Sequence, residues 1–149
     1  MNSQQIGRAG ELLVQFLLLR EGVESSPLTT DAGIDLVAFA PRLGGAVTIQ
    51  VKTNERPKPG GGRGKLALDW WLSDTSPADY IACVDLSVAR VWLFSRREFQ
   101  AAAQQHSSGR YHLYMWCDPS VRSRRGRRIR VEQFEDAICP ARMRELFVG

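Results

Sequence analysis

Polar residues open the chain, and the apolar positions that follow keep to no single stripe. After Ser3-Gln4-Gln5 come Leu12, Leu13, Val14, Phe16, Leu17, Leu18 and Leu19. Ser3 suits an N-cap and Gly22 a stop, so Ser3 to Glu21 is predicted as a helix. Apolar side chains nearly all round its axis predict that the helix is mostly buried. The pattern then shortens. Gly33 to Ala40 and Ala46 to Thr53 read as strands joined through Pro41-Arg42-Leu43-Gly44-Gly45, a hairpin by the length and glycine content of the connection. Tyr80 to Leu86 and Arg90 to Phe94 are rich in β-branched and aromatic residues and predict a second strand pair. A helix over Arg96 to Gln105, a strand over Tyr111 to Trp116 and a helix over Pro140 to Phe147 complete the reading. This order predicts an α/β chain, a mixed β-sheet flanked by helices, forming one domain over 1–149.

Two segments break the pattern. Arg56 to Lys65 (RPKPGGGRGK) combines two prolines with four glycines, and Arg122 to Arg130 (RSRRGRRIR) repels itself; both read as loops.

At 149 residues and 44% hydrophobic content, about 70% of the unfolded chain's surface can be buried without a staple. Cys83, Cys117 and Cys139 form no CxxC pair, which disfavours a disulfide framework and a zinc site and favours a reducing, cytoplasmic location. Cys83, set among apolar residues in a predicted strand, reads as a small buried hydrophobe. The start lacks a signal-peptide pattern, and the apolar run from Leu12 to Leu19 contains Gln15 and is too short for a bilayer. A membrane partner is not expected.

The net charge is +4, from 20 Lys+Arg and 16 Asp+Glu, but six of the arginines lie between Arg122 and Arg130. Without that segment the chain is slightly acidic. Arg122, Arg124, Arg125, Arg127, Arg128 and Arg130 are therefore candidate phosphate contacts, with Arg56, Lys58, Arg63 and Lys65 in the other loop. A solvated charge run is the alternative reading of both.

Strand geometry sets Gln50 and Lys52 on one face and Ile49 and Val51 on the other. Asp35 interrupts the apolar pair Ile34 and Leu36, and a tight hairpin brings it within cross-strand reach of Gln50 or Lys52. Glu11 lies on the helical stripe that continues through Val14 and Leu18, beside Gly7 and Gly10, whose missing side chains permit close approach of a strand or a phosphate backbone. Singly, Asp35 also suits a turn cap and Glu11 a surface acid near a helix N-terminus; together the four polar groups suit a reaction centre. Asp31 reads as part of the loop leading into the strand. Of the adjacent Trp70 and Trp71, strand geometry buries at least one; core burial is the commoner role of such rings, and base stacking or wedging the alternative for an exposed one. His106 and His112 show no metal-ligand spacing.

Glu11 after Gly-Arg-Ala-Gly, Asp35 in Gly-Ile-Asp-Leu-Val, and Gln50-Val51-Lys52 in Ile-Gln-Val-Lys-Thr resemble the PD-(D/E)xK nuclease superfamily. The subset resembled uses QxK, as in Mrr-like restriction endonucleases and relatives of archaeal Holliday-junction resolvases. The resemblance covers about the first third of the chain. It departs from the pattern in Ile34, where proline is usual, and in Gln50, where an acid is usual. It implies a restriction-endonuclease-like fold and Mg²⁺-dependent hydrolysis of DNA phosphodiesters, with Mn²⁺ as a substitute. Glu11, Asp35, Gln50 and Lys52 would be catalytic. Glu11, Asp35, the Gln50 side-chain oxygen and the Val51 carbonyl would hold the metal. Two carboxylates and a neutral amide favour one ion rather than two. Nucleic acid, most simply DNA, is the expected partner, and a homodimer the simplest arrangement for cutting two strands. A nuclease-fold module that binds nucleic acid without cutting it is the alternative.

Overall fold

The structure, a computed structural model, describes residues 1–30, 32–62 and 64–149. Asp31 and Arg63, both named above, lie outside the described residues. The chain opens with helix α1 (Ser3–Arg20), capped by Asn2 rather than Ser3. The reason is the residue three positions on. Gln5 returns a bond to the Asn2 backbone at 2.9 Å while Asn2 Oδ1 accepts from Gln5 N at 2.9 Å; the equivalent position for Ser3 is Ile6, which has nothing to return.

Nine strands follow: β1 (Ser25–Pro27), β2 (Leu36–Ala40), β3 (Gly45–Asn54), β4 (Lys58–Pro59), β5 (Leu66–Ser73), β6 (Tyr80–Asp85), β7 (Arg90–Ser95), β8 (Gln105–Ser107) and β9 (Arg110–Trp116). Helix α2 (Arg96–Ala102) lies between β7 and β8. A short helix α3 (Ala141–Met143) runs on as a π-helical turn over Arg144–Val148. No helix among the described residues is long and apolar enough to cross a membrane.

The first sheet has the order β1-β2-β3-β6-β7 and is mixed: β3 and β6 are parallel and the other pairs antiparallel. One face packs against α1 and the C-terminal turns through Val14, Leu18, Leu36, Ile49 and Met143. The other packs through Ile81, Trp92 and Phe94 against Leu68, Trp70 and Phe134. Ile81 and Cys83 belong to one core and Ala82 and Val84 to the other, as strand alternation requires.

Four expectations need correction. The first helix is not buried all round: Leu12, Phe16 and Leu19 are more than half exposed, because α1 lies against one sheet face and no described element covers its outer side. The hairpin strand starts at Leu36 rather than Gly33, since Gly33 takes a positive φ of 77°. The helix expected to reach Gln105 stops at Ala102, and Gln105 to Ser107 pair instead with β9 across a turn at Ser108 and Gly109, both at positive φ. The segment 56–65 is not wholly loop, for Lys58 and Pro59 pair with Ala67 and Leu66. The last two belong to a second, antiparallel sheet, β4-β5-β9-β8, which the sequence pattern did not announce.

Candidate active site

Strand β2 begins at Leu36, paired with Ile49, so β3 runs on past that end of β2. The register carried one step further sets Asp35 opposite Gln50. Asp35 N donates to Ile49 O at 2.9 Å, and Asp35 Oδ2 accepts from Val51 N at 2.6 Å. The N–H and C=O of a strand residue point to the same edge, so the Val51 carbonyl also faces the space beyond the end of β2. On the other edge of β3, Gln50 pairs with Ile81 and Lys52 with Cys83. Gln50 Oε1 accepts from Ser76 Oγ at 2.9 Å, and Arg96 fixes that loop by donating to the Ser76 and Ala78 carbonyls at 3.3 and 3.1 Å. The register thus sets Asp35, Gln50 and the Val51 carbonyl at one strand end, with Lys52 on the same face of β3 as Gln50.

Glu11 arrives from the other side of the sheet. A Cβ on Gly10 would stand 1.9 Å from Thr53 Oγ1, so α1 touches β3 where only glycine fits. Gly7, expected to share that role, meets nothing within 4 Å. Glu11 follows this contact, half-buried, with Arg8 Nη1 donating to it at 3.0 Å. Thr53 Oγ1 is buried and has no hydrogen-bond partner among the described residues. Within the same limit, no group of three or more His, Cys, Asp or Glu side chains is placed to hold a metal ion. Asp35 is the carboxylate at that end of β2, while Glu11 lies on the helix that packs against the opposite face of β3 from Gln50 and Lys52.

The basic segments divide by partner. Arg130 is turned inward: it bonds Glu132 at 2.5 Å and donates to the Asp118 carbonyl at 3.1 Å and to the Val121 carbonyl. Arg128 pairs with Asp136 at 3.2 Å and lies over the Phe134 ring. These two hold the loop to the body. Arg127 donates to the Gln104 carbonyl at 3.1 Å, while Arg122, Arg124 and Arg125 are exposed and make no ion pair among the described residues. In the other loop Arg56 meets Glu55 at 3.5 Å, Lys65 donates to Ser120 Oγ at 2.6 Å, and Lys58 is exposed.

Cysteine chemistry is absent from this centre. Burial pushes the Cys83 thiol well above its ordinary value, with the Lys52 charge opposing, and burial pushes Cys139 up to about 12. Both stay protonated thiols at neutral pH. Trp70 is buried and Trp71 is 38% exposed, as strand alternation required. His106 and His112 each meet one carboxylate, Asp74 at 3.2 Å and Asp69 at 2.7 Å. Sequence reasoning missed Ser76 and Arg96, which steady Gln50; Thr-Ser-Pro before β6 gives no periodic signal. It also missed the outward row His112, Tyr114 and Trp116, although alternation with Leu113 and Met115 was there to be read.

No protein-family model matches the chain, and no curated protein matches it. Among solved structures, that of the bacterial homing endonuclease I-Ssp6803I is similar, with a TM-score of 0.55 at 15% identity, covering 84% of this chain and 86% of that one. The chain therefore shares the α/β fold of that endonuclease, built on a mixed five-stranded sheet.

Proposed function

We propose that the chain is a metal-dependent endonuclease that hydrolyses DNA phosphodiester bonds through a QxK variant of the PD-(D/E)xK site. The observation that carries this reading is the Asp35 carboxylate held on the Val51 backbone, opposite Gln50 and on the strand that bears Lys52. The donors fit a hard divalent ion: carboxylate, amide and carbonyl oxygens are the ligands Mg²⁺ takes, and two carboxylates offset one such charge. Asp35, Glu11, Gln50 Oε1 and the Val51 carbonyl would hold it, with Mn²⁺ as a substitute. Bound there, the ion supplies a water of lowered pKa and polarises the scissile phosphate.

The protein's own part is positioning and charge. Val51 N fixes the Asp35 carboxylate, and Ser76 orients the Gln50 amide so that one lone pair of its oxygen stays available. Lys52 places a positive charge where the phosphate becomes more negative in the transition state. Arg122, Arg124, Arg125 and Arg127, with Arg56, Lys58, Arg63 and Lys65, draw phosphates electrostatically, and Arg128 and Arg130 brace the loop. The exposed Leu12, Phe16 and Leu19 offer a symmetric pair its interface, and a role in repair, recombination or restriction within the cytoplasm fits the chemistry.

The test is cleavage of duplex, single-stranded and branched DNA with Mg²⁺, with Mn²⁺ and with EDTA. The parent cuts with either metal and not with EDTA, and Asp35→Ala retains binding but loses cutting. A parent that binds all three substrates and cuts none identifies a binding module instead.

A further inference from the structure

The outer face of the second sheet is built unlike its inner face. Leu113 and Met115 of β9 point into the core, while His112, Tyr114 and Trp116 point out. Neighbouring rings on this side touch edge to face or stack. Trp71 lies flat on His112 with centroids 3.7 Å apart, His112 meets Tyr114 at 5.7 Å, and Tyr114 meets Trp116 at 5.9 Å. Rings on a solvated face add little to folding, so their row calls for another explanation.

Two clefts meet at this row. One, of about 690 Å³, lies between the rings and the turn carrying Lys58, Gly60 and Gly61. The other, of about 520 Å³, lies between the same rings and the arginine segment, with Lys65, Arg122, Arg124 and Arg127 in its wall. Tyr114 and Trp116 line both. Gly60 is needed here, because a Cβ on it would stand 2.7 Å from the Trp116 ring. Gln104 secures the arginine wall, its amide donating to the Tyr114 carbonyl at 2.8 Å and to the Arg128 carbonyl at 3.0 Å. The surface therefore offers flat apolar rings beside cationic groups that make no ion pair among the described residues, the combination that recognises bases and phosphates of one strand together.

We infer that this double cleft binds unpaired nucleotides, one base resting against Trp116 and Tyr114 while Arg122, Arg124 and Arg127 meet the flanking phosphates. A duplex hides its base faces in its own stack, so the rings select single-stranded or locally opened DNA. Asn54 Nδ2 donates to the Asp69 carbonyl at 2.7 Å. That bond ties this sheet to β3 two residues beyond Lys52 and sets the opened strand beside the reaction centre. The inference rests on the nucleic-acid reading above and names the substrate class for it: DNA with unpaired nucleotides next to the cut.

The test runs in EDTA, so that binding is measured apart from cleavage. Three probes are compared at fixed salt: an oligothymidine, an abasic oligomer of equal length and charge, and a duplex. Oligothymidine binds about tenfold or more tightly than the abasic strand, the effect of base stacking. Trp116→Leu removes that difference and leaves abasic binding unchanged. Arg124→Gln weakens both strands and lowers the salt slope by about one. In the unaltered protein, photocrosslinks from iodouracil map to Trp116 or Tyr114, which needs no variant to fold. Equal affinity of the parent for the two strands, crosslinks confined elsewhere, or tighter duplex binding indifferent to Trp116→Leu overturns the inference. A base-dependent difference without metal-dependent cutting overturns the nuclease reading alone, and cutting without that difference overturns the cleft alone.

Discussion

Both faces of the five-stranded sheet are covered, by α1 and the C-terminal turns on one side and by the four-stranded sheet on the other, whereas the four-stranded sheet is covered on one face only. Their polar chemistry is placed accordingly. In the covered sheet it appears at a strand end: β2 begins at Leu36, and Asp35 just before it bonds the Val51 backbone with Gln50 opposite in register. In the half-open sheet it spreads across a surface, in a row of rings next to arginines. A half-buried strand end suits a reaction, which needs few groups held rigidly. Open faces suit recognition of a long, charged polymer.

The comparison breaks first at Lys52. Replacing it with Met is expected to lower the cleavage rate by about 10²–10³-fold with DNA binding nearly unchanged, as for loss of a donor aimed at developing charge; single-turnover cleavage beside a binding titration checks this. An equal loss of binding would move Lys52 from reaction to recognition. Next, Phe134 is fully buried between the two sheets. Phe134→Ala is expected to cost about 3–5 kcal/mol in denaturant unfolding, while the exposed Phe16→Ala stays near zero in the monomer. Gly10→Ala comes third. With its Cβ 1.9 Å from Thr53 Oγ1, the helix must shift, at about 1–3 kcal/mol, and cutting falls further than stability alone explains because Glu11 moves with it.

The smallest effect concerns acid. Burial alone would raise the Glu98 carboxyl, but hydrogen bonds from the Ser95 backbone and hydroxyl and the Arg142 guanidinium outweigh it and hold Glu98 below its ordinary 4.5. A carboxyl depressed in the folded state contributes stability above its unfolded pKa and loses it as pH falls through the folded value. Glu98→Gln should therefore lower the melting temperature slightly above about pH 4.5 and flatten its decline below, as thermal melts across pH 3 to 6 will show.

The hairpin, the α/β order and the register that sets Asp35 opposite Gln50 were legible because they depend on short separations: alternation and a glycine turn dictate them locally. The second sheet was not, because β5 and β9 pair across a separation in which β6, β7 and α2 intervene. Its strands were hidden for different reasons. Leu66–Ser73 is apolar except at Asp69 and Ser73 and has only the two-residue β4 beside it in sequence, and Gln105–Ser107 carries three polar residues that only the tight turn at Ser108-Gly109 commits to a strand. The exposed side of α1 was misread because seven apolar residues were counted without asking what area existed to cover them. Arg128 and Arg130 were indistinguishable from their neighbours in sequence, since only the fold brings Asp136 and the Asp118 carbonyl to them.

Strands β3 and β6 run side by side in the same direction, so the chain has to travel back along the molecule between them. Here that return journey contains β4 and β5 and, among the described residues, no α-helix. The outward positions along it, among them Lys58, Asp69 and Trp71, lie outside the Glu11, Asp35, Gln50 and Lys52 set. In the proposed reading, part of the recognition surface is therefore encoded in a stretch of the gene separate from the codons of those four residues.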